Sequence, residues 1–171
     1  MRCIRATLVT QLDTKAHRSR TAATEAQRKQ PHTLQLITVG NLVTIFLEPR
    51  ITKLGLNITQ MLVLLAIREL PIDEAGPTSI ARILVHKRPS ITSNLAALAE
   101  RKLIRSIELS GKKPKYALTA AGTKILAKID IAVSANDQLI RLLLPVKEFE
   151  FLNQKMPKIL GDLHWKWKKQ Q

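Results

Sequence analysis

Several shortages in this sequence narrow what it can be. Cysteine occurs once, at Cys3, so neither an intrachain disulfide nor a cysteine-rich metal site is available. That thiol sits in a basic stretch with nothing to fix its pKa and is read as incidental, and a chain with no disulfide fits the cytoplasm. Aromatic residues make up only 4% of the chain, so its 45% apolar content is mainly Leu, Ile, Ala and Val, a balance that leans helical. Acidic residues are few and scattered. There is no paired-carboxylate motif, no Gly-rich phosphate loop and no Ser/His/Asp signature, so neither enzymatic activity nor a cofactor is expected. His17, His32, His86 and His164 lack metal-ligand spacing, so no metal is expected either. The longest apolar run, Met61–Ile67, is far too short to span a bilayer. The first residues carry no secretory signal, and no membrane partner is expected.

What is abundant is positive charge. Lys and Arg number 28 against 13 Asp and Glu, a formal net charge of +15 in 171 residues. Such a surplus calls for a polyanionic partner, whether nucleic acid, an anionic membrane or an acidic protein. The length allows one domain with a real core, plus arms. Residues 1–31 read as a basic arm with little to bury, either solvated or contacting DNA; a transit peptide and an over-extended start are rival readings. Residues 164–171, HWKWKKQQ, read as a basic tail that covers a dimer, touches DNA or sits at a membrane surface.

Between these ends the periodicity is mostly helical. The stretch 33–48 has helical apolar recurrence and should stop at Pro49. Asn57 followed by Gln60 is a capping-box pattern opening an almost wholly apolar helix, with a buried strand as the rival reading. PIDEAGP, residues 71–77, is a loop. Two short helices follow, one capped by Thr78 and ending near Val85, the other capped by Ser90 and running to about Lys102. Ile91, Leu95, Leu98 and Ala99 form the buried face of the second. After Leu103 the period shifts towards two. Strands over 104–109 and 115–118 would enclose the turn Ser110–Pro114, a hairpin with a basic tip. Thr119 caps a long helix with Ile125, Ile129, Val133, Ile140 and Leu143 along one stripe. Pro145 ends or kinks it. A last helix carries Phe149, Leu152, Met156, Ile159, Leu160 and Leu163, with Pro157 interrupting it.

Helix, short helix, helix and basic hairpin is the order of a winged helix-turn-helix: a mainly α fold with a small two-stranded β-hairpin. In such a unit the second helix enters the major groove with its N-terminal residues at the base edges. Here that end offers Ser90, Thr92, Ser93 and Asn94. Asn pairs bidentately with adenine and a Thr methyl touches thymine. Lys87, Arg88, Arg101 and Arg105 would hold phosphates, as would Lys112, Lys113 and Lys115 on the hairpin, and Ser79 is expected among the DNA-binding residues.

The stretches GLNITQMLVLLAI, TSIARIL, SITSNLAALAERKLIR and ALTAAG resemble the MarR family over roughly residues 33–160. The strongest anchors are the reading-helix pattern through Leu103 and Arg105, and Leu118-Thr119-Ala120-Ala121-Gly122, the family's Leu-Thr-x-x-Gly after the wing. The chain departs from the family at Lys102, where Gly is common, and in the wing, where Ser-Gly-Lys-Lys-Pro-Lys stands in place of an Asp-x-Arg element. The resemblance implies a transcriptional regulator, most often a repressor. It would be a homodimer paired through helices 33–48 and 120–163 around a DNA-binding lobe, 57–119, on double-stranded DNA. It also implies a pocket for a small aromatic effector. Two rivals remain at this point: a non-specific architectural or plasmid-accessory DNA-binding protein, and a winged-helix module that docks an acidic protein.

Overall fold

A computed structural model describes residues 31–108, 114–143 and 145–168. The expected arm, the hairpin tip with Lys112 and Lys113, and the last residues of the tail lie outside them. The elements are α1 (His32–Thr52), α2 (Ile58–Glu69), α3 (Pro77–Leu84), α4 (Arg88–Glu100), β1 (Ile104–Ile107), β2 (Lys115–Leu118), α5 (Ala120–Leu143) and α6 (Val146–Lys168). The chain separates into two units, Met1–Val43 and Thr44–Gln171. In the first, the described residues are helical and leave Leu34, Leu36, Ile37, Val39 and Leu42 exposed. The second holds the core.

That core is built around α2. Met61, Val63, Leu64, Ala66 and Ile67 are buried, as near all-round apolarity requires of a central helix. Helices α3, α4 and α5 and strand β2 all pack against it. Asn57 caps it as expected: its side chain accepts from the Gln60 N–H at 2.8 Å, and the Gln60 side chain accepts from the Asn57 N–H at 3.1 Å. Arg68, near the C-terminus of α2, reaches both carboxylate oxygens of Asp130 on α5 at 2.9 Å. The bonds to Asp130, and next the one to Glu69, raise the Arg68 pKa above its usual value. Both partners are substantially exposed, so this clasp adds little stability.

Helix α1 runs past Pro49, the expected stop, to Thr52. A proline costs the helix one hydrogen bond, but the following turn is anchored by Ile51, which is fully buried. The real terminator is Gly55, at φ +73°. Leu56 N–H bonds to Ile51 C=O and Gly55 N–H to Thr52 C=O, at 3.3 and 2.8 Å, with Leu56 and Ile51 together in the core. This is a Schellman ending. Pro157 likewise leaves α6 unbroken; the surrounding helix surface is exposed, so water satisfies the freed carbonyl.

Two other starts differ from expectation. Helix α3 begins at Pro77 with Gly76 as N-cap, rather than at a Thr78 cap, and α4 begins at Arg88 with Lys87 as N-cap, rather than Ser90. In both a proline occupies the first turn, where its missing N–H has no ladder partner to lose.

The hairpin pairs antiparallel, Ile104 with Leu118 through Ile107 with Lys115. Its base is clamped twice. Tyr116 N–H donates to Ala75 C=O at 2.9 Å, and Thr119 N–H to Leu103 C=O at 3.0 Å. The Thr119 hydroxyl accepts from Gly122 N–H at 3.0 Å, the expected cap of α5, and lies 2.7 Å from Lys102 C=O, to which it donates. The buried face of α5 is Leu126, Ile129 and Ala132 with Asn136, flanked by Ile125 and Val133. Arg141 stacks over the Phe149 ring of α6, 5.0 Å from its centroid.

Val85 and Lys102, which follow α3 and α4, take left-handed φ values of 54° and 55°. Each sits where a helix-ending glycine is favoured, and a residue with a Cβ pays about 1–2 kcal/mol there. Val85→Gly and Lys102→Gly are each expected to raise unfolding stability by about 1 kcal/mol or somewhat less, after glycine's greater unfolded-state entropy is discounted. A urea titration measures this; unchanged or lowered midpoints would show the strain to be absent.

Candidate nucleic-acid interface

Helices α3 and α4 form the turn-helix unit. Ile80 and Ala81 of α3, and Ile91, Leu95 and Leu98 of α4, are buried. The left-handed Val85 redirects the chain, and His86 N–H closes back on Ala81 C=O at 2.9 Å. Because α4 is locked through its apolar stripe, its other side is presented as a fixed surface. Arg88, Pro89, Thr92, Ser93 and Ala96 line an open hollow there, spaced as i, i+1, i+4, i+5 and i+8 along one face. Between Glu74 and Glu100 the sequence has no acidic residue. No ion pair among the described residues engages Lys87, Arg88, Arg105 or Lys115.

The structure divides the group expected to read bases. Thr92 and Ser93 are exposed on the hollow with Arg88. Ser90 and Asn94 are not on it: at about 100° per residue they lie roughly 130° and 170° around the helix from its centre. Ser90 is exposed, whereas Asn94 is half-buried and its amide donates to Ser90 C=O at 2.8 Å. The Thr92 hydroxyl donates to Arg88 C=O at 3.1 Å. Pro89 and Ala96 were not singled out in the sequence; stepping by helical turns forward from Arg88 reaches Ala96, and back from Ser93 reaches Pro89.

The expected cationic residues also separate. Lys87 and Arg105 are exposed, and Ser79 is half-buried on α3. The Arg101 guanidinium instead donates to the carbonyls of Leu54 and Gly55 at the end of α1. These bonds tie that corner to α4. Lys115 is half-buried, its stem lying over Gly76 at the start of α3 rather than at a free tip. Among the described residues no group of His, Cys, Asp or Glu could hold a metal ion, and no helix is long and apolar enough to cross a membrane.

No protein-family profile matches the chain, and no curated protein sequence does. Solved structures do. A MarR family transcriptional regulator from Rhodococcus sp. RHA1 aligns over 74% of this chain and 91% of its own, at 17% identity and a TM-score of 0.67. MepR of S. aureus, solved as a DNA complex, aligns over 78% and 99%, at 16% identity and 0.68. The Mycobacterium tuberculosis MarR family protein Rv2887, also in complex with DNA, aligns over 77% and 98%, at 17% identity and 0.65. The described chain therefore has the fold of the MarR family regulators, a winged helix-turn-helix followed by long helices.

Proposed function

We propose that the chain is a sequence-specific DNA-binding transcriptional regulator, a repressor acting in the cytoplasm as a homodimer on a palindromic operator, and not an enzyme. The outer face of α4 carries this reading. From Arg88 to Ala96 it is short-sided and free of acidic residues, with Glu100 a turn beyond, and it is held rigid by the buried stripe behind it. A helix so presented fits the major groove. The unpaired N–H groups of its first turn and the positive end of its dipole favour phosphate. The likeness to MepR and Rv2887, each solved with DNA, supports the same reading. Arg88, Thr92 and Ser93 are proposed to face bases. Lys87, Arg105, Ser79 and the hairpin residues Lys112, Lys113 and Lys115 are proposed to contact the backbone, while Ser90 and Asn94, turned away from the hollow, are proposed to take no part in base reading.

The dimer is supported by unpartnered apolar faces. Leu34, Ile37, Ile45 and Phe46 on α1, and Phe151, Ile159, Leu160 and Leu163 on α6, are all exposed in the single chain. That much exposed apolar surface calls for a partner, and a second copy would place two reading helices about 34 Å apart, one turn of DNA. A small aromatic acid is the proposed effector, since Rv2887 has also been solved with p-aminosalicylic acid. Asn136, buried with an unpartnered Oδ1, offers an acceptor to a hydroxyl or amino group of such a ligand, not to its carboxylate.

Binding to a randomised duplex library at near-physiological salt tests the reading. The expected result is a palindromic consensus with half-sites about one turn apart. Retention without a consensus would favour an architectural protein, and no retention a protein-docking module. Arg88→Ala is expected to cost about 1–3 kcal/mol of affinity and to relax preference at one base position per half-site. Equal affinity and unchanged preference in that variant would displace α4 as the reading helix.

A further inference from the structure

We infer that the operator half-site is read mainly through thymine methyl groups. It is therefore A·T-rich, with one G·C pair fixed by Arg88. This rests on the DNA-binding reading above and specifies what the α4 face selects.

The inventory of that face decides the matter. Each base pair is recognised in the major groove by a particular partner: Arg or Lys for guanine, Asn or Gln for adenine, Asp or Glu for cytosine, and an apolar group for the thymine methyl. Arg88, Pro89, Thr92, Ser93 and Ala96 include one guanine reader, no Gln and no carboxylate. The one nearby amide, Asn94, is off the face and half-buried, with its nitrogen on Ser90 C=O at 2.8 Å. Cytosine therefore has no carboxylate opposite it and adenine no bidentate partner, while the Ser93 hydroxyl both donates and accepts and so selects no one base.

What remains is apolar and short. The Thr92 hydroxyl is held at 3.1 Å by Arg88 C=O, four residues back. That bond turns the polar half of the side chain to the backbone and leaves the methyl for the groove. Ala96, one turn further on, adds a second methyl, and the Pro89 ring lies one turn before Thr92. Pro89, Thr92 and Ala96 are all exposed. Between Arg88 and Ala96 no other long side chain on this face holds the helix away from the base edges, so this stretch can settle deeply enough for methyl-to-methyl contact.

The test uses the duplex recovered from the randomised library and its counterpart with uracil in place of thymine, which lacks only the C5 methyl. Wild-type protein is expected to bind the uracil duplex about fourfold more weakly for each contacted methyl, the factor one buried methyl is worth. Thr92→Ser, which removes the opposing methyl, is expected to bind both duplexes alike at the position Thr92 contacts. A consensus dominated by G·C pairs would overturn methyl reading while leaving specific DNA binding intact. So would a uracil duplex bound as tightly as the thymine one. If no duplex is retained, both readings fall together.

Discussion

Gly122→Ala is expected to cost the domain about 3 kcal/mol or more, or to prevent it from folding. A Cβ at this position would lie 2.0 Å from the carbonyl oxygen of Leu103 and 3.1 Å from its carbon. These are backbone atoms, so no rotamer change relieves the clash. The carbonyl cannot swing away freely either, because it accepts the Thr119 N–H at 3.0 Å. The only relief is to lift α5 away from the base of the hairpin, which would also pull Leu126 and Ile129 from the core. Urea unfolding measures the loss. Gly161→Ala on α6 is the control: nothing lies within 4 Å of a Cβ there, so a gain of about 1 kcal/mol in helix propensity is expected. If Gly122→Ala unfolds at the wild-type midpoint, the close approach of α5 to Leu103 is not as described.

Leu160→Lys is expected to turn the protein from dimer to monomer. Met156, Ile159, Leu160 and Leu163 recur at helical spacing on α6 and all stand exposed, Leu160 at 62%. Lysine is a good helix former, so the helix itself should survive. In the proposed dimer, a charge placed among these apolar side chains would have no compensating partner. DNA affinity should fall with the dimer. Two linked reading helices give the second half-site a millimolar effective concentration, and losing it costs on the order of 10²–10⁴ in affinity. Light scattering and operator binding on the same sample check both halves. A variant of unchanged mass and affinity would show that this face of α6 is not where two copies meet.

Features set by neighbours in the sequence were legible before the structure. The Asn57–Gln60 capping box and the Thr119–Gly122 start of α5 depend on residues three apart, and both form. The alternation that marks the hairpin likewise depends only on adjacent positions. Misreadings came where a distant contact overrode a local rule. Pro49 should have stopped α1, but Ile51 is drawn into the core and Gly55 ends the helix instead. Arg101 looks like any surface cation until Gly55, 46 residues earlier, is brought to it. At the candidate site a small error had a large effect. Placing the start of α4 at Ser90 rather than Arg88 made Ser90, Thr92, Ser93 and Asn94 look like one group. Helical geometry divides them, because successive residues point about 100° apart. The apolar faces of α1 and α6 were visible as patterns, and among the described residues many of their large apolar side chains stay exposed.

The double clamp on the hairpin, Tyr116 to Ala75 on one side and Thr119 to Leu103 on the other, anchors β1 and β2 to the helical lobe through main-chain bonds. Those bonds survive any exchange of side chains on α4, so the chemistry that α4 presents and the anchoring of the hairpin's base are free to vary independently of one another.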